Sequence, residues 1–286
     1  VQTCALPICE WLGVEAEQMA PTELMHLILK APADLLYNGG IGTYVKSSSQ
    51  SHQDANDRGN DNLRVDANEL RVKVIGEGGN LGLTQKGRIE FALGGGHLFT
   101  DAIDNSAGVD CSDHEVNIKI LLSGLVRGGD MTDKQRVALL SSMTDEVGQL
   151  VLSDNYQQTG AVSIEANKGF EMLNAHGQLI RKMEAAGALD RTIEFLPDDK
   201  NLAERAQMRV GLTSPELAVL LAYTKITLKE AILATTLPDA PELQQLLAEY
   251  FPAALVKQCS AEIPNHPLKR EIVTTQLVNR LVNRMG

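Results

Sequence analysis

The chain has 286 residues, of which 43% are hydrophobic and 22% are charged, and its formal net charge is −11. This length predicts about two domains, and the composition is typical of globular proteins. The acidic balance argues against nucleic-acid binding. No apolar run approaches the roughly 20 residues that span a bilayer. Neither a nucleic acid nor a membrane is therefore expected as a partner.

The four cysteines are sparse and follow no spacing pattern; they are Cys4, Cys9, Cys111 and Cys259. Such usage suits a reducing cytoplasm, which is the location that we predict. Cys111 and His114 lie in one Cys-Ser-Asp-His segment, but no second Cys/His pair accompanies them. Because structural zinc sites use four ligands, no metal site is expected.

The first nine residues match nothing later in the chain. The segment from Val1 to Cys9 has neither an initiating methionine nor the charged start of a signal peptide. We therefore expect residues 1–9 to be a non-native tail and the chain to be an internal fragment of a longer protein.

Three later segments share one design, in which a small-residue loop with an asparagine follows an apolar strand. The strands are expected at Ala33 to Tyr37, Leu70 to Ile75 and His97 to Ile103. A polar excursion from Ser47 to Glu69 separates the first two, and loops of this length are usually functional or mobile. Since ligands bind at the carboxyl edge of open parallel sheets, the three loops predict one ligand crevice.

The loops contain residues that suit ligand binding. Glycine permits close backbone approach, and an asparagine amide can both donate and accept, which suits a carboxamide or a ribose hydroxyl. One such asparagine would more often satisfy a turn, but three at successive strand ends favour a ligand site. The candidate cofactor-binding residues are Asn38, Gly39, Gly40, Gly78, Gly79, Asn80 and Asn105.

Ser112 opens a Ser-Asp-His-Glu segment that has the form of a capping box. It is predicted to cap a helix from Asp113 to Val126. Capping alone would explain the serine. The alternative is that a substrate carboxylate binds near Ser112, because a helix N-terminus attracts anions.

The remainder of the chain favours an all-α domain, because apolar residues recur at helical spacing and no strand alternation interrupts them. The expected helices are Thr132 to Leu152, Ile164 to Gly187, Asp199 to Arg209, Ser214 to Thr235, Pro241 to Tyr250 and Ile263 to Met285.

Four segments resemble the large, very long-chain class of bacterial NAD-specific glutamate dehydrogenases, in that family's order. They are Asn38 to Lys46, Asp57 to Val65, Glu77 to Leu93 and Asp101 to Leu122. The resemblance implies a Rossmann-type α/β domain with a partial, mostly parallel sheet over residues 10–129, followed by an all-α helical domain over residues 130–286. It also implies NAD as cofactor, L-glutamate and 2-oxoglutarate as substrates, and a homo-oligomeric full-length protein.

The same resemblance implies roles for single residues. The turn that ends at Asn80 is similar to the Glu-Gly-Ala-Asn turn of smaller glutamate dehydrogenases, which implies that Asn80 contacts the nicotinamide ribose. Asn105 to Ser112 is similar to their Asn-Ala-Gly-Gly-Val-x-x-Ser segment, although Ser106 and Ala107 depart from it. This implies that Asn105 lies near nicotinamide or substrate, and that Ser112 binds the side-chain carboxylate of glutamate.

No catalytic residue is assigned in this chain. The resemblance implies that the catalytic lysine and aspartate, and the glycine-rich pyrophosphate turn, precede it in the whole protein. Two alternatives stay open. One is another amino-acid dehydrogenase with the same nicotinamide loops, and the other is a non-catalytic helical assembly or regulatory module.

Overall fold

The computed structural model describes residues 2–3, 10–15 and 18–285. The chain forms two compact units, and each is built from two separate stretches. Unit 1 is Val1–Asn105 with Glu165–Val219, and unit 2 is Ser106–Ile164 with Leu220–Gly286. The expected domain boundary at residue 129 stays a prediction, because compact units within this chain do not define the domains of a longer protein.

The expected tail at residues 1–9 lies outside the described residues, apart from Gln2 and Thr3. These two form strand β1 (Gln2–Thr3), which pairs antiparallel with β2 (Gln18–Met19). Helix α1 (Pro21–Leu29) follows and has proline in its first turn. Proline is tolerated there because the first N–H groups of a helix have no partner within it.

Unit 1 contains a small parallel sheet. Strand β3 (Leu35–Asn38) pairs in parallel with β6 (Val74–Glu77), so that Asn38 lies opposite Glu77. The intervening strands β4 (Val45–Lys46) and β5 (Val65–Asp66) form a second parallel pair. The expected parallel arrangement of the first two strands is thereby confirmed.

The polar excursion between β4 and β6 is held by a buried arginine. Arg64 is 3% exposed, and its Nε donates to the carbonyl oxygen of Thr43 at 2.8 Å. Its Nη1 lies 2.6 Å from a carboxylate oxygen of Asp61. Short 3₁₀ turns at Gln53–Ala55, Arg58–Asn60 and Ala67–Glu69 make up much of the rest.

The expected strand from His97 to Ile103 is wrong beyond its first residue. Only His97 bridges β6, where its carbonyl oxygen accepts from the N–H of Ile75 at 2.9 Å. Helix α3 (Asp101–Asp104) begins after Thr100, whose carbonyl oxygen accepts from the N–H of Ile103 at 3.0 Å. An aspartate in the first turn favours the helix, because its charge complements the N-terminal dipole.

The predicted cap at Ser112 is also wrong. Helix α4 (Ser106–Gly128) begins six residues earlier, so Ser112 lies in its second turn. There its hydroxyl donates to the carbonyl oxygen of Gly108 at 3.2 Å. Serine makes this bond to the preceding turn inside helices, and the small residues before it tolerate helical geometry at modest cost.

The other regular elements are mostly helices, and no strand occurs between residues 130 and 285, all of which are described. Helix α2 (Gln85–Leu93) follows β6 in unit 1. The later helices are α5 (Asp133–Ser142), α6 (Thr144–Lys168), α7 (Leu173–Ala185), α8 (Asp199–Met208), α9 (Ser214–Leu233), α10 (Gln244–Tyr250), α11 (Ala253–Gln258) and α12 (Lys269–Met285). Among the described helices, none has the length and apolar character needed to cross a membrane.

Each unit has its own apolar core. In unit 1 the core joins the strands to α2 through Val45, Val65, Ala67, Val72, Ile75, Leu83, Phe91 and Leu98. Leu83 anchors the loop after β6, because it is only 2% exposed. In unit 2, Leu122 of α4, Leu255 of α11 and Val273 of α12 are each 0% exposed.

Candidate functional site

Two of the predicted loops touch each other at the end of the parallel sheet. The N–H of Gly78 donates to the carbonyl oxygen of Asn38 at 2.8 Å. A Cβ atom added at Gly79 would lie 2.9 Å from the carbonyl oxygen of Gly40, closer than real Cβ contacts. The backbone contact between the loops therefore requires glycine at position 79.

The structure also brings together two predicted asparagines that are 25 positions apart. The side-chain nitrogen of Asn105 donates to the side-chain oxygen of Asn80 at 3.1 Å. Asn80 is exposed, and Asn105 ends helix α3. The two amides form one solvent-accessible group that carries both donor and acceptor atoms, as recognition of a carboxamide requires.

Asn38 has a buried donor without a partner. Its side-chain nitrogen forms no hydrogen bond with any described residue. It lies so close to Gly82 that a Cβ added there would be 2.1 Å from it. Both residues line a mainly apolar cavity of about 290 Å³. An unsatisfied buried amide calls for an acceptor, so this position fits a bound polar group of a cofactor.

Leu81 and Asp101 fix the loop that carries Asn80, and the sequence had not pointed to either. Leu81 has a φ of 61°, which is rare for a residue with a side chain. Its N–H donates to a carboxylate oxygen of Asp101 at 2.7 Å. A backbone strain of this kind persists only where neighbouring contacts enforce it, and it clusters at functional sites.

A buried ion pair joins the end of β6 to helix α2. Nε and Nη2 of Arg88 lie 2.7 and 2.8 Å from the two carboxylate oxygens of Glu77. The side chains of Arg88 and Glu77 are 5% and 1% exposed. Glu77 also accepts from the N–H of Leu83 at 3.2 Å, and Arg88 lies 3.2 Å from Asp101. Glu77 thus holds the far end of the loop that begins next to it. Although burial opposes the charge, the hydrogen bonds that Arg88 donates to Glu77 raise the pKa of Arg88.

Asp104 contacts the backbone of Glu77. One of its carboxylate oxygens accepts from the N–H of Glu77 at 3.0 Å. Burial raises the pKa of Asp104 to about 6, and the neighbouring carboxylates of Glu77 and Asp101 act in the same direction. The hydrogen bond from Glu77 and the charge of Arg88 oppose this rise.

Ser112 belongs to unit 2, whereas the other candidate residues belong to unit 1. It is exposed on α4. Because the helix begins at Ser106, Ser112 is not at the free N–H groups that would attract an anion there. A role in substrate binding therefore rests on its hydroxyl and not on a helix terminus.

We expect Arg88→Met to lower the free energy of unfolding by about 3–5 kcal/mol, because it leaves the carboxylate of Glu77 buried without its partner. Urea denaturation measures this change. The matched control is Lys73→Met, which breaks the fully solvated pair between Lys73 and Asp34 and should have little effect. Equal losses in the two variants would contradict a structural role for the buried pair.

Asp104→Asn should alter how stability depends on pH. The carboxyl has its ordinary pKa of 3.8 when unfolded and about 6 when folded. The folded state therefore holds the extra proton, and this contribution is complete below the unfolded pKa and is lost as the pH rises through about 6.

The amide in Asp104→Asn still accepts from the N–H of Glu77 but carries no charge. Above the folded pKa this variant should be more stable than the wild type, by on the order of 1 kcal/mol because the group is partly solvated. Urea denaturation on both sides of the folded pKa measures the difference. The exposed Asp133→Asn serves as the control. If Asp104→Asn and the wild type differ by the same amount on both sides, Asp104 does not titrate in this range.

Comparisons with known proteins identify the family of the chain. The family model described as "Bacterial NAD-glutamate dehydrogenase, catalytic domain" matches residues 3–165, and "Glutamate dehydrogenase, C-terminal" matches residues 209–286. Relatives named NAD-specific glutamate dehydrogenase come from Pseudomonas aeruginosa, Mycobacterium tuberculosis and Halomonas elongata. They are 56%, 52% and 48% identical over 96%, 95% and 96% of this chain. The chain spans 17% of the length of each of these relatives. It belongs to the bacterial NAD-glutamate dehydrogenase family.

Proposed function

We propose that the chain provides the nicotinamide-binding edge of an NAD-specific glutamate dehydrogenase. The whole protein would oxidise L-glutamate with NAD⁺ as the hydride acceptor and water as co-substrate, giving 2-oxoglutarate, ammonium, NADH and a proton. The observation that carries the proposal is the hydrogen bond between Asn80 and Asn105, since it puts two amides at the mouth of two touching glycine loops. The names of the relatives support NAD as the cofactor and glutamate as the substrate.

The residues of this chain would bind and orient the reactants. Asn80 would hold the nicotinamide ribose, and Asn105 would lie beside the nicotinamide or the substrate. Gly78 and Gly79 let the cofactor approach the backbone, and Asn38 with Gly39 and Gly40 would extend the same edge. The hydroxyl of Ser112 would donate to the side-chain carboxylate of glutamate.

Bound NAD would supply the hydride acceptor, and we assign no proton transfer to this chain. In the proposed whole protein, the general base and the pyrophosphate turn lie outside it. The parallel strands of unit 1 would form part of a Rossmann-type sheet, and residues 130–286 would form a separate helical domain. We place the whole protein in the cytoplasm as a homo-oligomer.

NADH binding to this chain tests the assignment of the asparagines. Titration followed by nicotinamide fluorescence should show binding by the wild type. Asn80→Ala and Asn105→Ala should each weaken it about tenfold, which corresponds to one lost polar interaction. Asn68→Ala is the matched control, because Asn68 is an exposed asparagine of the Ala67–Glu69 turn and should leave binding unchanged.

Equal binding by all these proteins would contradict the assignment. No binding by the wild type, together with a stable oligomer, would favour the alternative of a helical assembly module. Another amino-acid dehydrogenase is disfavoured. The named relatives match nearly the whole chain, and all of them are NAD-specific glutamate dehydrogenases.

We expect the chain by itself to catalyse no glutamate oxidation, because it contains no candidate for the general base of the reaction. NADH formation from L-glutamate and NAD⁺, followed at 340 nm, measures this. A full-length relative serves as the positive control. Clear turnover by the chain would show that its own residues move the proton.

A further inference from the structure

A group of potential metal ligands lies within unit 2. Asp110 and His114 lie one turn apart on α4, and Asp154 lies on α6. One donor atom from each of the three residues lies within 4.8 Å of the other two. Nε2 of His114 is 3.9 Å from a carboxylate oxygen of Asp110, which is too far for a hydrogen bond.

The ring of His114 is buried, and one of its two nitrogens lacks a hydrogen bond. Its exposure is 2%, and Nδ1 has no partner among the described residues. The ring stacks on Tyr250 with centroids 4.4 Å apart and planes at 11°. Burial lowers the pKa of His114, which favours the neutral imidazole. A neutral imidazole is the form that binds metal ions, and stacking fixes its orientation.

The two carboxylates also lack a close cation. Neither Asp110 nor Asp154 accepts a hydrogen bond from another residue in the described part of the chain, and neither forms a salt bridge with Lys225 on α9. The ammonium of Lys225 instead donates to the side-chain oxygen of Gln158 at 3.2 Å.

The charges are therefore coupled without contact. Burial raises the pKa of Asp110 to about 6, and the charge of Asp154 adds to this rise. Burial also lowers the pKa of Lys225 to about 8, although both aspartates oppose this. An ammonium with a lowered pKa loses its proton at little cost when a second cation binds nearby.

We propose that Asp110, His114 and Asp154 bind a divalent transition-metal ion, and that this site is independent of the proposed dehydrogenase function. Two carboxylate oxygens and one imidazole nitrogen suit ions such as Zn²⁺ and Mn²⁺, with water in the remaining positions. Metal–ligand bonds of roughly 2.0–2.2 Å would draw the donors together through small side-chain rotations. The ion would link α4 to α6 and supply the positive charge that Lys225 does not bring into contact.

Isothermal titration of the chain with ZnCl₂, after removal of metals with EDTA, tests the site. One ion should bind per chain. Asp154→Asn keeps the shape of the side chain and should weaken binding at least tenfold, and His114→Gln should do the same. Cys111→Ser is the matched control, because the exposed thiol next to Asp110 is the obvious accidental zinc ligand, and its removal should change nothing.

The Lys225→Met variant gives a further test, because tighter binding cannot result from unfolding. Removing the competing ammonium should tighten Zn²⁺ binding several-fold. Co²⁺ bound to the wild type should show d–d absorption without a thiolate charge-transfer band. Absence of binding, unchanged affinity in Asp154→Asn, loss of affinity in Cys111→Ser, or no tightening in Lys225→Met would each overturn the site. None of these outcomes bears on NADH binding, so the two proposals fail separately.

Discussion

The buried ion pair between Glu77 and Arg88 is the interaction on which the candidate site depends. It joins the last residue of β6 to helix α2, and the same carboxylate holds the N–H of Leu83 at the end of the loop. Arg88 also lies next to Asp101, and the carboxylate of Asp101 accepts from the N–H of Leu81, the residue that follows Asn80. Exchange of a buried ion pair for apolar residues often leaves a protein equally stable, so we infer that this pair serves mainly to define one geometry of the loop.

The local sequence predicted several features of this candidate site. Glycines and an asparagine after an apolar run predict a turn that approaches a ligand, and parallel strands bring two such turns to one edge. On this basis the sequence correctly predicted that the loops at Asn38 and Gly78 adjoin. The hydrogen bond between Asn80 and Asn105 agrees with the same prediction, although Asn105 follows a helix and not a strand. The role of these residues in cofactor binding stays a prediction.

The features that the sequence did not reveal depend on contacts between distant segments. The pattern of His97 to Ile103 resembles a strand, but residues 101–104 form a helix. From this helix the carboxylates of Asp101 and Asp104 accept from the N–H groups of Leu81 and Glu77, which are distant in sequence. Ser112 has a suitable pattern for a cap, but α4 already begins at Ser106, and Ser112 lies in its second turn. His114 was weighed with Cys111 as a metal ligand, whereas the structure groups it with a carboxylate from another helix.

The bond between the amides of Asn80 and Asn105 has a consequence for how a ligand would arrive. The bond uses one N–H of Asn105 and one lone pair of Asn80, so it leaves the amide nitrogen of Asn80 and the amide oxygen of Asn105 to interact with a ligand. Each new hydrogen bond to a ligand would replace one to water, so its net contribution is modest, and the ordering cost is small because the existing bond already restrains both side chains. Discrimination between ligands at this point would therefore come from shape and donor–acceptor order, and tight binding would have to come from contacts elsewhere along the cofactor.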